Sequence, residues 1–165
     1  MIKWIRKQLG HEASPFVQFL KYAFVGGVAT LTNMVVFFLL GWALLPCLTA
    51  TDPFVRIFGI QISGTLSETT RAVNAAWCNT IGFIVSNTLC YLLNRAFVFK
   101  PGRHFWLVEF LLFFAGSGLS FVIGVSLQTG LIKILGIETT YAFAANIAVA
   151  LLINYATRKF IIFKG

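Results

Sequence analysis

Charged residues are scarce in this sequence, and acidic residues are the scarcest among them. Of the 165 residues, 11% are charged, 58% are hydrophobic and 16% are aromatic, and only five are Asp or Glu. A water-soluble domain carries about 25% charged residues. A chain with so few could not cover a water-facing surface with polar groups, so the composition excludes a soluble domain and indicates a membrane protein.

Histidine and cysteine are also few, which limits the chemistry that the chain can carry. The two histidines, His11 and His104, lie outside the long apolar runs and show no metal-ligand spacing. The three cysteines show none either, and their odd number argues against a disulfide framework. With no nucleophile–base pair and no metal cluster, the sequence predicts a protein that is not an enzyme and uses no metal or cofactor.

Four long uncharged runs occupy most of the chain, at residues 22–51, 72–94, 110–132 and 139–157. A transmembrane helix needs about 20 mostly apolar residues, because the hydrocarbon core is about 30 Å thick. The runs are continuous and too long for the alternating strands of a membrane β-barrel. We therefore predict an all-α integral membrane protein with four transmembrane helices, at about residues 18–45, 70–95, 106–132 and 139–159.

The segments outside these runs give the expected domain organisation. In residues 1–15, Ile2, Ile5 and Leu9 share one helical face and basic residues lie on others, which is typical of an amphipathic helix on the cytoplasmic leaflet. Residues 16–165 form one predicted four-helix transmembrane domain. In the long loop 46–71, the stretch PFVRIFGIQI is apolar enough to lie on the outer interface as helix or strand. Thr65 and Glu68 have the spacing of a capping box for the second span.

Lysine and arginine are distributed unevenly between the two sides of the predicted membrane. If both termini lie on one side, that side carries ten Lys and Arg residues and the other side carries three. Cytoplasmic loops hold the excess of Lys and Arg in membrane proteins. Both termini and the turn at 100–105 are therefore expected in the cytoplasm, and the net charge of +8 reflects topology rather than nucleic-acid binding.

The chain contains two similar halves. YLLNRAFVFK (91–100) aligns without gaps to YATRKFIIFK (155–164), and FLKYAFVGG (19–27) aligns to FLLFFAGSG (110–118). The pattern predicts two similar helical hairpins that cross the membrane in the same direction, as parallel repeats do in some transporters. The alternative is that such short matches arise by chance.

A stripe of amides runs along the second predicted span. Successive helical residues turn by about 100°, which puts Asn79, Asn87 and Asn94 on one face. The other spans carry polar or small-residue faces that could meet it. These faces include Thr30 and Asn33 on the first span, Gly116, Ser120, Gly124 and Gln128 on the third, and Asn146 and Asn154 on the fourth. These residues could simply hold helices together, but one such contact contributes only about 0.6 kcal/mol on average in a membrane. The alternative is a path whose amides bond the hydroxyls of a polar substrate.

Three cations lie at the cytoplasmic ends of the predicted spans, namely Lys21, Arg95 and Arg158. They could reach ordinary lipid headgroups and set the topology. Alternatively they form a phosphate site, because the planar fork of an arginine suits phosphate oxygens. Glu109 could pair with one of them.

The stretches FLKYAFVGGVATLTNMVVFFLL (19–40) and NTIGFIVSNTLCYLLNRAFVF (79–99) resemble the GtrA family of small four-helix membrane proteins. The matching positions include Lys21-Tyr22, Thr30 and Asn33, and then the run from Asn79 through Asn87, Tyr91 and Asn94-Arg95 to Phe99. The second half repeats the ending as RKFIIF, so the resemblance covers about residues 16–163. The long loop 46–71 departs from the compact hairpin of the family.

The resemblance implies work on polyprenyl-phosphate sugars that are made in the cytoplasm and used outside, in decorating O-antigen, teichoic acid or arabinan. It predicts a multi-pass protein of the bacterial inner (cytoplasmic) membrane that flips a polyprenyl-phosphate monosaccharide. Arg95, Lys21 and Arg158 would hold the phosphate. The sugar would be bonded along a path formed by Asn33, Asn79, Asn87, Asn94, Tyr91, Thr30, Asn146 and Asn154.

Two other functions fit the same residues. The chain could be a membrane anchor that recruits a polyprenyl-phosphate glycosyltransferase to its basic face beside Trp106. It could also be an exporter of a small drug or metabolite. Exporters of cations, however, usually keep a carboxylate at mid-membrane, and none of the four runs has one at its centre. Membrane lipids are expected partners in every case. Four short helices make a thin wall around a substrate path, which favours a homodimer.

Overall fold

The computed structural model of the protein describes residues 14–62, 64–98 and 105–157, without the side chains of Pro15 and residues 154–157. Regular structure in this part of the chain is helical throughout, with no strand. The helices are α1 (Pro15–Ala43), α2 (Pro53–Phe58), α3 (Glu68–Leu93), α4 (Trp106–Leu135) and α5 (Thr139–Thr157), and a π-helical turn (Asn94–Val98) continues α3. The all-helical prediction is confirmed. Most of the predicted interfacial segment, residues 1–13, lies outside the described residues.

Three of the helical segments are long and apolar enough to cross a membrane, namely Phe16–Ala43, Glu68–Val98 and Trp106–Leu135. The apolar part described for α5, Thr139–Ile153, is shorter. Large apolar side chains point away from the protein on these helices, for example Phe24 with 74% and Leu119 with 65% of its surface exposed. Such a surface suits hydrocarbon rather than water.

Local side-chain chemistry determines where the helices begin and end. The α4 helix ends at Gly136, which has a φ of 62° and a left-handed conformation that glycine adopts without steric strain. The α3 helix begins after Ser67, whose hydroxyl accepts the backbone N–H of Thr70 at 3.2 Å. The predicted cap at Thr65 is therefore wrong, because the hydroxyl that reaches a free N–H of the first turn belongs to Ser67.

The four long helices form a chain of antiparallel neighbours in which α1 packs along α3, α3 along α4 and α4 along α5. At one end Lys21 of α1 bonds the carbonyl of Phe97, and at the other end Asn74 of α3 bonds the carbonyl of Pro46. We call the end with residues 44–62 and the α4–α5 turn the outer end. The opposite end, with the π-helical turn and the start of α4, is the inner end.

The apolar core lies toward the outer end. Phe37 stacks on Phe143 with ring centroids 4.1 Å apart, and Phe38 stacks on Phe54 of α2 at 4.0 Å. Leu48 and Ile132 are fully or almost fully buried among them. This packing joins α1, α2 and α5, so the outer end of the bundle is closed by aromatic rings.

The loop after α1 is also tied to the α4–α5 turn by polar contacts. Glu138 accepts hydrogen bonds from Thr49 at 2.6 Å and Thr51 at 2.5 Å. The fully buried Asp52 accepts the backbone N–H of Thr140 at 3.0 Å, and Thr140 also donates its hydroxyl to this carboxylate. The long loop therefore acts as a clamp across the outer end. The stretch PFVRIFGIQI, which the sequence allows to be helix or strand, begins with the short helix α2.

Arg71 and Cys47 complete this outer clamp. Arg71 is 3% exposed, donates to the carbonyl of Ile137 at 2.6 Å and forms an ion pair with Glu68 at 2.9 Å. The backbone carbonyl of Cys47 accepts the hydroxyl of Thr139. A hydrogen bond with the Cys78 thiol, together with burial, raises the pKa of the Cys47 thiol, so this cysteine stays protonated and packs as a small apolar group.

Candidate functional site

Three amides from three helices meet in the outer half of the bundle. The side-chain oxygen of Gln128 on α4 accepts from Asn79 of α3 at 2.6 Å and from Asn146 of α5 at 2.9 Å. All three side chains are more than nine-tenths buried. Two of the predicted path residues, Asn79 and Asn146, are therefore brought together by Gln128, which the sequence put on the facing surface of the third span but not among the path residues.

Asn87 and Asn94 continue the stripe toward the inner end. The oxygen of Asn87 accepts from the hydroxyl of Ser117 on α4 at 3.2 Å, while the Asn87 amide nitrogen has no partner within the described residues. Asn94 donates to the carbonyl of Cys90 on its own helix at 2.9 Å, and its side-chain oxygen is unpaired in the same sense. The stripe predicted along α3 therefore faces α4 and the bundle interior.

Asn33 and Asn146 each pack directly against a glycine of a neighbouring helix. A Cβ atom at Gly82 of α3 would collide with the side-chain oxygen of Asn33 on α1. A Cβ atom at Gly124 of α4 would collide in the same way with the oxygen of Asn146 on α5. Glycine at these two positions lets each asparagine lie flat on the neighbouring helix, which is how small residues permit tight helix contacts in membranes.

Arg95 is held in a polar cluster at the inner end. Its guanidinium donates to Glu109 of α4 at 2.6 Å and to the hydroxyl of Tyr91 at 3.0 Å, and Tyr91 donates to the carbonyl of Trp106 at 3.0 Å. The expected pairing of Glu109 with a cation is confirmed, and the cation is Arg95. The other oxygen of Glu109 is buried and has no partner among the described groups. Arg95 is 35% exposed, so part of its fork faces away from the protein.

Lys21 lies at the same end, but on the other side of α3. Its ammonium donates to the carbonyl of Phe97 at 3.3 Å, and Gln18 donates to the carbonyl of Val98 at 3.5 Å. Both acceptors are at the end of the π-helical turn, where the last carbonyls of a helix have no partner within the helix. Lys21, which reaches across from α1, and Arg95, which pairs with Glu109 of α4, thus lie on opposite sides of the inner end of α3.

Of the other predicted site residues, the structure describes the side chain of Thr30 but not those of Asn154 and Arg158. Thr30 is exposed on α1 and donates to the carbonyl of Gly26 at 3.0 Å within its own helix. Arg158 lies outside the described residues, and so does the side chain of Asn154. Among residues 14–62, 64–98 and 105–157, no group of three or more His, Cys, Asp or Glu could hold a metal ion.

Buried polar atoms without a protein partner are concentrated along this side of the bundle. In the described part of the chain they are found on Asn33, Asn87, Asn94, Glu109 and Gln128, and apart from these on Arg71 at the outer end. Buried polar groups are normally hydrogen-bonded. Atoms of this kind from mid-bundle to the inner end can bond water in the empty protein or the hydroxyls of a bound molecule.

Sequence reasoning put Gln128 and Gly124 on a face of the third span that could meet the amide stripe, but not in the path, and it missed Ser117 and Gly82. Gln128 and Ser117 lie on α4, where isolated polar residues in an apolar run were the available signal. Which of them faces α3 depends on helix order and rotation. Gly82 lies three residues after Asn79 on the same stripe, but no local pattern identifies its partner on α1.

Helices with an apolar outer surface, a closed aromatic end and an interior lined by amides define the class as a multi-helix membrane protein with a polar core. The family model described as "GtrA/DPMS, transmembrane domain" matches residues 21–163. The chain therefore belongs to this family of transmembrane domains, as the sequence resemblance predicted.

One curated relative adds a biological context. The chain is similar to the cell wall teichoic acid glycosylation protein GtcA of Listeria monocytogenes, with 34% identity over 89 residues. The match covers 52% of this chain and 61% of the relative, so the chain spans less than two thirds of the relative's length. No solved structure matches the chain.

Proposed function

We propose that the protein takes part in glycosylation of a cell-surface polymer by flipping a polyprenyl-phosphate-linked monosaccharide across the bacterial cytoplasmic membrane. One observation carries the proposal, namely the series of buried amide and carboxylate atoms without protein partners between Gln128 and the inner end. Such atoms are costly in an empty apolar protein. A hydroxyl-rich head group would bond them, and family membership and the similarity to a teichoic acid glycosylation protein support this substrate class.

In this proposal different residues bind the phosphate and the sugar of the lipid head group. Arg95, with Lys21 and Arg158, holds the phosphate at the inner end. The hydroxyls of the sugar exchange hydrogen bonds with Asn87, Asn94, Asn33, Asn79 and Asn146, with Tyr91 and Asn154 as further members of the path. No covalent bond forms or breaks in this process, so the protein acts as a carrier rather than an enzyme.

The orientation also belongs to the proposal. Four helices span the membrane, both termini and the 100–105 turn are cytoplasmic, and the outer clamp faces outward. The basic inner end then meets the leaflet where the lipid-linked sugar is made. The outer clamp and the Phe37–Phe143 stack close the far end of the path until the head group arrives.

The decisive test is a flipping assay with purified protein in vesicles. Polyprenyl-phosphate sugar with a radiolabelled head group is placed in the inner leaflet. Its appearance outside is followed with an impermeant reagent or a glycosidase. We expect exposure of the labelled sugar with no glycosyltransferase present, and no exposure in protein-free vesicles. Equal rates in both preparations would contradict the proposal.

A membrane anchor for a glycosyltransferase is the second candidate, and the geometry of Arg95 is the observation that favours it. Arg95 already pairs with Glu109, and Trp106 is 52% exposed beside this pair. Such a surface could dock a protein. Under this alternative the isolated protein would not move lipid in vesicles, but it would bind the enzyme, and replacement of Trp106 by Ala would weaken that binding.

A further inference from the structure

The two hairpins of the bundle make equivalent contacts. The alignment that pairs Phe19 with Phe110 also pairs Phe37 with Gln128, and the alignment that pairs Tyr91 with Tyr155 also pairs Asn79 with Phe143. The stack of Phe37 on Phe143, between α1 and α5, is therefore the counterpart of the hydrogen bond between Gln128 and Asn79, between α4 and α3.

The close glycine contacts obey the same correspondence. The alignments pair Asn33 with Gly124 and Gly82 with Asn146. Each hairpin thus has one asparagine packed flat on one glycine at the equivalent place. In the first hairpin the asparagine is on the first helix and the glycine on the second, and in the second hairpin this order is reversed. These matches relate the hairpins by an approximate twofold axis through the middle of the bundle. The interface of α3 with α4 should then recur between α5 and α1.

The interface between α1 and α5 is closed only at its outer end. The α3 helix packs along α4, whereas α1 and α5, within the described residues, meet at the Phe37–Phe143 stack and do not pack along their lengths. We call the open part below this stack the α1–α5 seam. At 100° per residue, the α1 face that carries Phe37 continues through Thr30, Gly26, Ala23 and Phe19, and the α5 face that carries Phe143 continues through Ile147 and Leu151.

Small residues explain why the seam is open. In the closed interface Phe83 of α3 packs against Phe114 and Phe121 of α4, at centroid distances of 5.7 and 4.3 Å. The alignment puts Ala23 and Thr30 of α1 in place of these two rings. A Cβ atom at Gly26 would meet nothing within 4 Å. The seam therefore lacks the aromatic rings that fill its counterpart.

We propose that the α1–α5 seam binds the polyprenyl chain of the lipid-linked sugar, an inference that rests on the proposed function. The seam is apolar, since the hydroxyl of Thr30 is already bonded to Gly26 within the helix. The α1 side of the seam, from Phe19 to Phe37, is about 27 Å long at 1.5 Å per residue, close to the thickness of the hydrocarbon core. A long, thin hydrocarbon chain fits these dimensions.

The seam also connects directly with the candidate path. Asn33 lies one helical turn beyond Thr30 on α1, and its buried, unpaired oxygen belongs to the polar interior. A lipid in the seam could keep its chain in the bilayer while its head group bonds the amides behind it. This separation avoids both the transfer of sugar hydroxyls into hydrocarbon and the transfer of the chain into water.

The test adds to the seam the phenylalanine rings that it lacks. The double variant Ala23→Phe, Thr30→Phe supplies the two phenylalanines of the closed interface, and both sites are exposed. The matched control, Leu31→Phe with Val35→Phe, adds bulk to exposed positions on another face of α1. A Gly26→Val variant provides a second, smaller obstruction should the double variant fail to fold. Melting curves in detergent check that each protein is folded.

The probe is a polyprenyl phosphate with a photoreactive diazirine in its chain, in vesicles of phosphatidylethanolamine and phosphatidylglycerol. We expect it to label peptides of α1 and α5 in the unaltered protein and in the control. Excess polyprenyl phosphate should compete, but excess phosphatidylglycerol should not. Labelling should fall to background in whichever seam variant is folded.

Several outcomes would overturn the inference. Undiminished labelling in the folded seam variants, or labelling on other helices, would place the chain elsewhere. Equal competition by phosphatidylglycerol would mean that an ordinary acyl chain occupies the seam. Crosslinks between cysteines placed at position 23 of one copy and 151 of another would assign the seam to a dimer. Seam labelling without flipping would refute the proposed function alone, and flipping without seam labelling would refute this inference alone.

Discussion

At the scale of single residues, the amides that look alike in the sequence have different environments. Asn79 is bonded to Gln128, whereas the amide nitrogen of Asn87 is buried without a protein partner. The hydroxyl of Ser117, which bonds Asn87, also donates to the carbonyl of Phe113 within α4. Loss of Asn87 would therefore leave no unsatisfied group behind.

This contrast gives a prediction for a matched pair of variants. Asn79→Leu should lower stability by about 0.6 to 1.7 kcal/mol, the range of interhelical polar contacts in membranes, and activity should fall with it. Asn87→Leu should keep or raise the melting temperature, because it removes a buried unpaired nitrogen, while flipping is lost. Melting in detergent and flipping in vesicles are measured on both proteins. Retained flipping in Asn87→Leu would remove Asn87 from the path.

Arg95 carries a second prediction, in which its structural and binding roles are separated. Arg95→Gln should abolish flipping, but it also leaves Glu109 without its ion pair, at a stability cost of about 1–3 kcal/mol. The double variant Arg95→Gln, Glu109→Gln removes that charge and should regain stability without regaining flipping. Arg95→Lys should keep part of the activity, because an ammonium pairs with Glu109 but lacks the planar fork.

The decisive measurement for Arg95 is the flipping rate of the double variant compared with Glu109→Gln alone. If Arg95 serves only to neutralise Glu109, the double variant would be as active as Glu109→Gln. If Arg95 binds phosphate, Glu109→Gln remains active and the double variant does not. Activity in the double variant would therefore exclude the phosphate site at Arg95.

At the scale of helices, the packing of α4 on α5 depends on the absence of a side chain at Gly124. Gly124→Ala should destabilise the protein by about 1–3 kcal/mol, the usual effect of overpacking, because the new methyl group displaces Asn146 and breaks its bond to Gln128. Gly116→Ala on the same helix is the control, since nothing lies within 4 Å of its Cβ position. Similar melting temperatures for the two variants would contradict this account.

The helices themselves could be predicted from the sequence, but their neighbours could not. Uncharged runs of sufficient length locate helices whose ends lie within three residues of the predicted spans. A turn of 100° per residue puts the α3 amides on one face. The contact between Asn33 and Gly82, by contrast, depends on helix order and rotation, which no local pattern encodes. Glu109 illustrates the limit, because the sequence showed that it needs a cation but not which one.

The outer clamp escaped prediction for a different reason. Asp52, Arg71 and Glu138 are isolated charges in loops or at helix ends, and charged residues are mostly exposed in proteins. In the structure Asp52 and Arg71 are almost completely buried, because loop 44–52 folds back over the α4–α5 turn. Contacts between segments almost 90 residues apart leave no periodic signal.

At the scale of the whole molecule, the proposed orientation gives a further prediction. Reporter fusions at both termini and within 100–105 should be active as cytoplasmic fusions, and a reporter inserted after Gly59 should be active outside. The insertion site is exposed and ends α2, so it should disturb the clamp little. A cytoplasmic signal from that insertion would invert the proposed direction of flipping.

The exchange of residue types between the hairpins has a consequence for how the two halves recognise each other. If the first hairpin met a second copy of itself across the same twofold axis, Phe37 would face Asn79, and a ring would replace the partner of an amide. Two copies of the second hairpin would likewise set Gln128 against Phe143. Joining unlike hairpins instead matches ring with ring and amide with amide. The single chain thus contains the selectivity of a heterodimer, and halves made as separate polypeptides should complement each other rather than self-associate.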